Sequence, residues 1–361
     1  MPDELKKIID KGHNVYSISK INTKYSCPYA YYLTYIENQK GLNNIYGVVG
    51  SKIHDIIEDI YKNNANTDTL KNGLDEILND CKVIGISFPN EDIERNWKEN
   101  MYHFVENFSK MKRKFNTEEF ILYEIKDGKW IQGYIDAIEY IDNKNINILD
   151  WKTSSKFSGN KLKEAGRQLI TYKLAKESQG YKVNNIGWFM TKYINVCYKN
   201  ILKSGKVKVK TKMCERRKWV KEMNVLSKAK GTTFWEQTLL DYGEDPFDVE
   251  FMIQDAIINN NISNFPKEIK EQFWLEDCIV WYDATDELIK ETKEYLISGI
   301  DDIESRIEDE IDWNAVDINE KNEFFCFNLC NHRKDCKYLI KYRENKLKND
   351  TIMDDEDDDL F

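Results

Sequence analysis

No run of about 18 apolar residues occurs in the 361-residue chain, which removes a membrane-spanning helix from consideration. The opening stretch, Met1 to Ser17, carries no secretory apolar region, so the expected location is the cytoplasm. There, the eight cysteines are expected as metal ligands or buried thiols rather than disulfides. No internal repeat stands out. An excess of positive charge is also missing: the net charge is −10, which at first argues against nucleic acid as a partner. The distribution qualifies the sum. Asp354, Asp355, Glu356, Asp357, Asp358 and Asp359 put six of those charges in a terminal tail, leaving the rest at −4 (−10 less these six). Between Lys199 and Lys221 the chain is strongly basic, and such a patch can meet a polyanion in a salt-dependent way. The length allows one large domain or two modest ones, with aromatic residues enough for a core.

What is present centres on Gln132 to Thr153. Trp130–Ile141 and Ile146–Trp151 are β-prone runs joined by turn residues Asn143, Lys144 and Asn145. Asp136 sits in the first run; the second delivers Asp150 and Lys152, which alternation points to one side. Two carboxylates on adjacent strands beside a lysine suit a hard divalent cation and an anionic substrate. Taken alone, the hairpin reads equally as a surface pair with a salt bridge.

Gly47–Tyr61 carries a full amphipathic stripe, Ile53, Ile56, Ile57, Ile60 and Tyr61, with His54 at its margin. His54 there is a core-edge residue or a ligand. Residues 68–113 predict two helices and Phe120–Ile125 a strand. Lys161–Ser178 predicts a helix with Ala165, Gln168 and Tyr172 on one face. Asn184–Tyr193 reads as a buried strand, Lys206–Lys212 as an edge strand, and Thr285–Ile307 as a helix. Cys27 precedes Pro28, which ends one helix and opens the next.

The order Gly50-x-x-x-His54, Gly133-Tyr134-Ile135-Asp136, Asp150-Trp151-Lys152-Thr153, Gln168-x-x-x-Tyr172 resembles the PD-(D/E)XK nuclease superfamily, and within it the RecB-like branch. The resemblance implies an α/β fold: a central mixed β-sheet flanked by helices, like the restriction endonucleases. It implies Mg²⁺ or Mn²⁺ held by Asp136, Asp150, the Trp151 carbonyl and His54, whose nitrogen favours Mn²⁺. Lys152 would stabilise charge on the reacting phosphate, and Gln168 and Tyr172 would orient it. Glu58 would support His54 or stand as a solvated charge. The second acid is often Glu in the superfamily; here it is Asp150, a variant common in the RecB-like branch.

Cys326-x3-Cys330-x5-Cys336 gives three thiolates where a metal site wants four, and Cys27 is the best fourth. RecB-like nucleases with an iron–sulfur cluster carry one cysteine before the core and three after it. This chain is similar, so the resemblance implies a structural [4Fe-4S] cluster; a Cys₄ zinc site is the alternative, then buried free thiols. His332 lies within the cluster as a bystander or substitute ligand. Cys81, Cys197, Cys214 and Cys278 show no ligand spacing.

Lys206, Lys208 and Lys210, then Arg216, Arg217 and Lys218 with Trp219 for stacking, are expected either to contact DNA or to guard an edge strand. The tail ends in Leu360 and Phe361 and is similar to the acidic tips of single-strand-binding proteins. It would dock on a replication or recombination protein, lie in the chain's own DNA groove, or serve only solubility. The expected organisation is one nuclease domain over 1–345, with a core near 47–193, a variable part near 194–320 and the cysteines at 326–336. A disordered acidic tail covers 346–361. The expected function is metal-dependent DNA cleavage, by an exonuclease rather than an endonuclease, in replication, recombination or repair. Lys, Asn and Ile enrichment points to an AT-rich source, a bacterial virus or low-GC bacterium. The rival is a DNA-binding or replisome-adaptor protein on the same fold.

Overall fold

The computed structural model describes residues 2–63, 66–108, 114–201, 205–227 and 231–357. β-Branched and aromatic runs supply the strands: β1 (Val15–Tyr16), β2 (Asn116–Lys126), β3 (Lys129–Tyr140), β4 (Asn145–Lys152), β5 (Lys182–Ile201), β6 (Val207–Glu215) and β7 (Phe273–Tyr282). Among the described residues they form one mixed, seven-stranded sheet. The helices before it are α1 (Asp3–Asp10), α2 (Ile18–Ser26), α3 (Pro28–Tyr31), α4 (Ile45–Asn63), α5 (Thr67–Val83) and α6 (Glu91–Phe108). Those after are α7 (Asn160–Ser178), α8 (Trp219–Met223), α9 (Phe234–Tyr242), α10 (Pro246–Asn259), α11 (Lys267–Lys270), α12 (Asp286–Glu308) and α13 (Lys337–Asp357).

Period-two alternation decides the layers. On β4, Leu149 and Trp151 pack against Ile53, Ile56 and Ile57 of α4 and the apolar faces of α5 and α6. Ile146 and Ile148 face the other way, onto Leu169, Ile170 and Tyr172 of α7. Helix α7 is the crossover that makes β4 and β5 parallel, while β2–β3 and β3–β4 are antiparallel. The sheet is thus flanked by helices on both faces, the α/β architecture the resemblance implied. The far half of β5 and β6 builds a further apolar cluster with α8, α9 and α10, centred on Trp219 and Trp235.

The amino-terminal segment is clasped from behind by α12. Val15 and Tyr16 pair in parallel with Trp130 and Ile131, and Ile21, Leu296, Ile300 and Ile303 are fully buried together. Each such side chain is worth roughly 1.5–3 kcal/mol of transfer free energy. Gly299 permits the contact: a Cβ there would stand 2.6 Å from Ile21 Cγ2. Lys24 reaches Asp302 at 2.5 Å, and Lys129 reaches Glu304 at 2.5 Å.

At the carboxyl end, α13 runs through 346–357, where the sequence reading expects disorder. Its middle, Lys341 to Lys348, consists mostly of strong helix formers, and Lys346 pairs with Glu323 at 2.6 Å. Leu360 and Phe361 lie outside the described residues. Among the described residues no helix is long and apolar enough to cross a membrane.

Candidate metal centre

The site lies where β3 and β4 part. Their pairing runs from Tyr140↔Ile146 to Ala137↔Leu149 and stops. In the fork stand Asp136 and Asp150, both buried. Asp136 Oδ2 accepts the Trp151 N–H at 2.9 Å. Asp150 Oδ2 contacts Lys152 Nζ at 2.6 Å, but as an ion pair without hydrogen-bond direction; otherwise this buried oxygen has no partner. Lys152 Nζ donates to Gln168 Oε1 at 3.4 Å, and Gln168 Nε2 donates to the Tyr172 hydroxyl at 2.9 Å. From α4, His54 Nδ1 lies 3.7 Å from Asp136 Oδ2. Gly133 keeps β3 close under Tyr172, whose ring would be 3.4 Å from a Cβ. Four short motifs spread from Gly50 to Tyr172 therefore meet at one point.

The electrostatics describe a site short of positive charge. Burial, and then the neighbouring Asp150, push the Asp136 carboxyl well above the usual carboxylate range. Burial holds His54 below the ordinary imidazole value. Burial pulls Lys152 down, but Asp150 outweighs it and the ammonium ends above its ordinary value. A divalent cation between the two aspartates would relieve their repulsion and supply the buried Asp150 oxygen with a partner. The donor set, oxygens with one imidazole, fits Mg²⁺ or Mn²⁺.

Sequence reasoning missed one member. Glu118, at the rim, places a carboxylate oxygen within 4.8 Å of both an Asp136 oxygen and a His54 ring nitrogen. It stands opposite Asp136, because Thr117↔Ala137 and Glu119↔Ile135 flank the pair. Its φ of 55° is left-handed, a conformation that costs a non-glycine residue roughly 1–3 kcal/mol. A usable signal was Asp127-Gly128, a two-residue hairpin turn. Counting back from it puts Glu119 across from Asp136; the register shift between Glu124 and Lys126 moves the position to Glu118. Glu119 instead pairs with Lys176 at 2.5 Å. Glu58 is engaged by Lys62 one turn along α4.

The family model for the PD-(D/E)XK nuclease superfamily matches residues 15–336. The chain belongs to that superfamily. No curated protein matches it. Nucleases of this superfamily use divalent metals, in keeping with the donors gathered in the fork.

The match also takes in the cysteines. Cys27 sits between α2 and α3 in extended backbone, φ −163° and ψ 108°. Cys326 lies in a short π-helical turn, Phe325–Leu329, Cys330 follows it, and Cys336 precedes α13. All four line a single cavity of about 470 Å³. Burial and then the other three thiols push Cys326 up to about 11. Yet among the described residues no three of these sulfurs lie within 4.8 Å of one another. His332 is buried with Nε2 2.8 Å from Thr34 Oγ1, so a hydroxyl already occupies it. Cys81, Cys197, Cys214 and Cys278 are buried core thiols.

The basic stretch divides. Lys206, Lys208 and Lys210 are exposed, and among the described residues β6 pairs only with β5, as an edge strand. Of Arg216, Arg217 and Lys218, the first leaves the surface patch the sequence suggested, and the other two are half-buried and ion-paired. Arg216 is fully buried, with Nε donating to the Thr191 carbonyl at 2.8 Å and NH2 3.2 Å from Asp277. Arg217 and Lys218 converge on Glu215 at 2.9 and 3.1 Å. Trp219 is buried in the β5–β6 cluster and is closed to base stacking. The physical reason is the turn after β6, which folds these side chains back onto the sheet.

Proposed function

We propose that this chain is a RecB-like deoxyribonuclease, dependent on Mg²⁺ or Mn²⁺, that trims DNA ends or single strands as an exonuclease in replication, recombination or repair. The observation that carries the reading is the meeting of His54, Asp136, Asp150, Lys152, Gln168 and Tyr172 in one fork of the sheet. Asp136, Asp150, His54 and the Trp151 carbonyl would hold the cation, with Glu118 added from β2. When bound, the cation supplies an acidified water and polarises the scissile phosphate. Asp136 would bind it in the ionised form, so loss of a proton from this raised carboxyl and metal binding are coupled. Lys152 then turns its ammonium toward charge building on the phosphate oxygens. Gln168 fixes the direction of that ammonium through its Oε1, and Tyr172 fixes Gln168.

Cys27, Cys326, Cys330 and Cys336 would hold a [4Fe-4S] cluster, with a structural zinc as the alternative. Tetrahedral zinc at about 2.3 Å from each sulfur brings all four within about 3.8 Å of one another. A four-iron cluster takes one thiolate per iron, and the four cysteines line one cavity of about 470 Å³. Its role is a staple between the amino-terminal helices and the last turns. Lys206, Lys208 and Lys210 would meet the DNA backbone, and Leu360 with Phe361 a replication or recombination partner. The adaptor reading loses the Arg216–Trp219 surface it leaned on.

Cleavage of end-labelled DNA with Mn²⁺ tests the reading. Asp150→Ala and Lys152→Ala should each lose at least about a hundredfold in rate; equal rates in wild type and variants would return the adaptor reading. A brown protein with broad visible absorbance is expected for the cluster, and colourless, zinc-loaded protein would overturn it.

A further inference from the structure

One cavity beside the fork has no part in the chemistry above. It begins at Thr153, the residue after Lys152, and encloses about 400 Å³. Tyr46 at the start of α4, Asn96 and Trp97 on α6, the Thr153–Ser155 segment and Lys192 wall it. The wall is tied to the catalytic strand: Thr191 Oγ1 donates to the Lys152 carbonyl at 3.1 Å, and Lys192 Nζ to Ser155 Oγ at 3.3 Å. Tyr46 and Trp97 both lean on Phe88, with ring centroids at 5.8 and 5.7 Å, so packing sets their planes before any ligand arrives.

We propose that this pocket receives an unpaired nucleobase of the strand being cut, at the nucleotide beside the scissile phosphate, and that the substrate is therefore single-stranded DNA. The inference rests on the nuclease reading and narrows it. Flat aromatic walls stack any base, the Asn96 amide and the hydroxyls of Thr153 to Ser155 meet its polar edge, and Lys192 stands at the wall for a flanking phosphate. A base held in a duplex cannot enter such a pocket without leaving its stack. The pocket starts at the residue that follows Lys152 and its wall is tied to the Lys152 carbonyl, so the base it takes belongs to that same stretch of strand.

The test pairs binding with cleavage. Binding of a fluorescein-labelled twelve-nucleotide thymidine oligomer is followed by anisotropy in Ca²⁺, and cutting of the same oligomer in Mn²⁺. Both are repeated with an oligomer carrying abasic residues throughout and with a blunt duplex. Wild type should bind and cut the single strand roughly tenfold better than the abasic oligomer, and better than the duplex. Tyr46→Ala should weaken binding roughly tenfold and erase most of the abasic penalty; Tyr46→Phe, which keeps the ring, should restore both. If the two penalties instead multiply independently, or the duplex binds and is cut equally well, the pocket does not hold a base. If base- and Tyr46-dependent binding persists but Mn²⁺ produces no cutting, the pocket stands and the nuclease reading falls.

Discussion

At the scale of single residues, Glu118 trades conformational ease for position. Its left-handed φ is one that glycine adopts freely, yet a carboxylate is what brings the residue beside Asp136 and His54. Glu118→Gly is therefore expected to raise the melting temperature of the metal-free protein while weakening Mn²⁺ binding roughly tenfold, read by calorimetric titration. An unchanged affinity would remove Glu118 from the metal set. Asp136 makes a pH prediction of the same kind. Its folded carboxyl ionises above the unfolded value, because of burial and then Asp150. Its contribution to stability is thus complete below the ordinary carboxylate range and is lost as pH rises through the folded value. Above about pH 5, metal-free protein should melt at falling temperature as pH is raised, and saturating Mn²⁺ or Asp136→Asn should flatten that fall.

At the scale of elements, the end of β6 acts as a charge hub rather than a landing strip. Burial alone would raise Glu215, but hydrogen bonds from Asn100, Lys218 and Arg217 outweigh it and lower the carboxyl to about 2. A lowered value contributes stability that is present above the unfolded value and lost as pH falls toward the folded one. Wild type should lose stability between about pH 5 and pH 2, and Glu215→Gln should lose roughly 3 kcal/mol at neutral pH while showing a shallower acid limb in denaturant titrations. This hub explains what the sequence hides. Arg216 looks like any arginine of a basic stretch until Asp277, sixty-one positions later, is brought beside it by the β5–β7 pairing. The hairpin of Asp136 and Asp150 and helices α4, α7 and α12 were legible because alternation and the 3.6-residue stripe act within one element. Glu118 was not, because a single register shift decides which of two adjacent glutamates faces the fork. The spacing of the last three cysteines was visible at once; the cavity that gathers them with Cys27 is a tertiary property.

At the scale of the whole molecule, charge and topology separate the ends from the middle. The fork is built from residues 54–172, and its surroundings are braced by α12 gripping α2 from the far end of the chain. Gly299→Ala would force the Ile21 methyl aside, an overpacking cost of about 1–3 kcal/mol. The expected outcome is a lower melting temperature together with faster proteolysis near residues 15–30, where α2 and α3 lose their seat. A normal melt with no new cleavage would mean that α2 and α12 can part without cost.

That grip has a consequence for biosynthesis. Helix α2 ends at Ser26, but the surface that shelters Ile21 is made only some 270 residues later (296 − 26), with Leu296, Ile300 and Ile303. Until then the nascent chain must carry Ile21 without that cover, so the amino-terminal helices dock among the last events of folding.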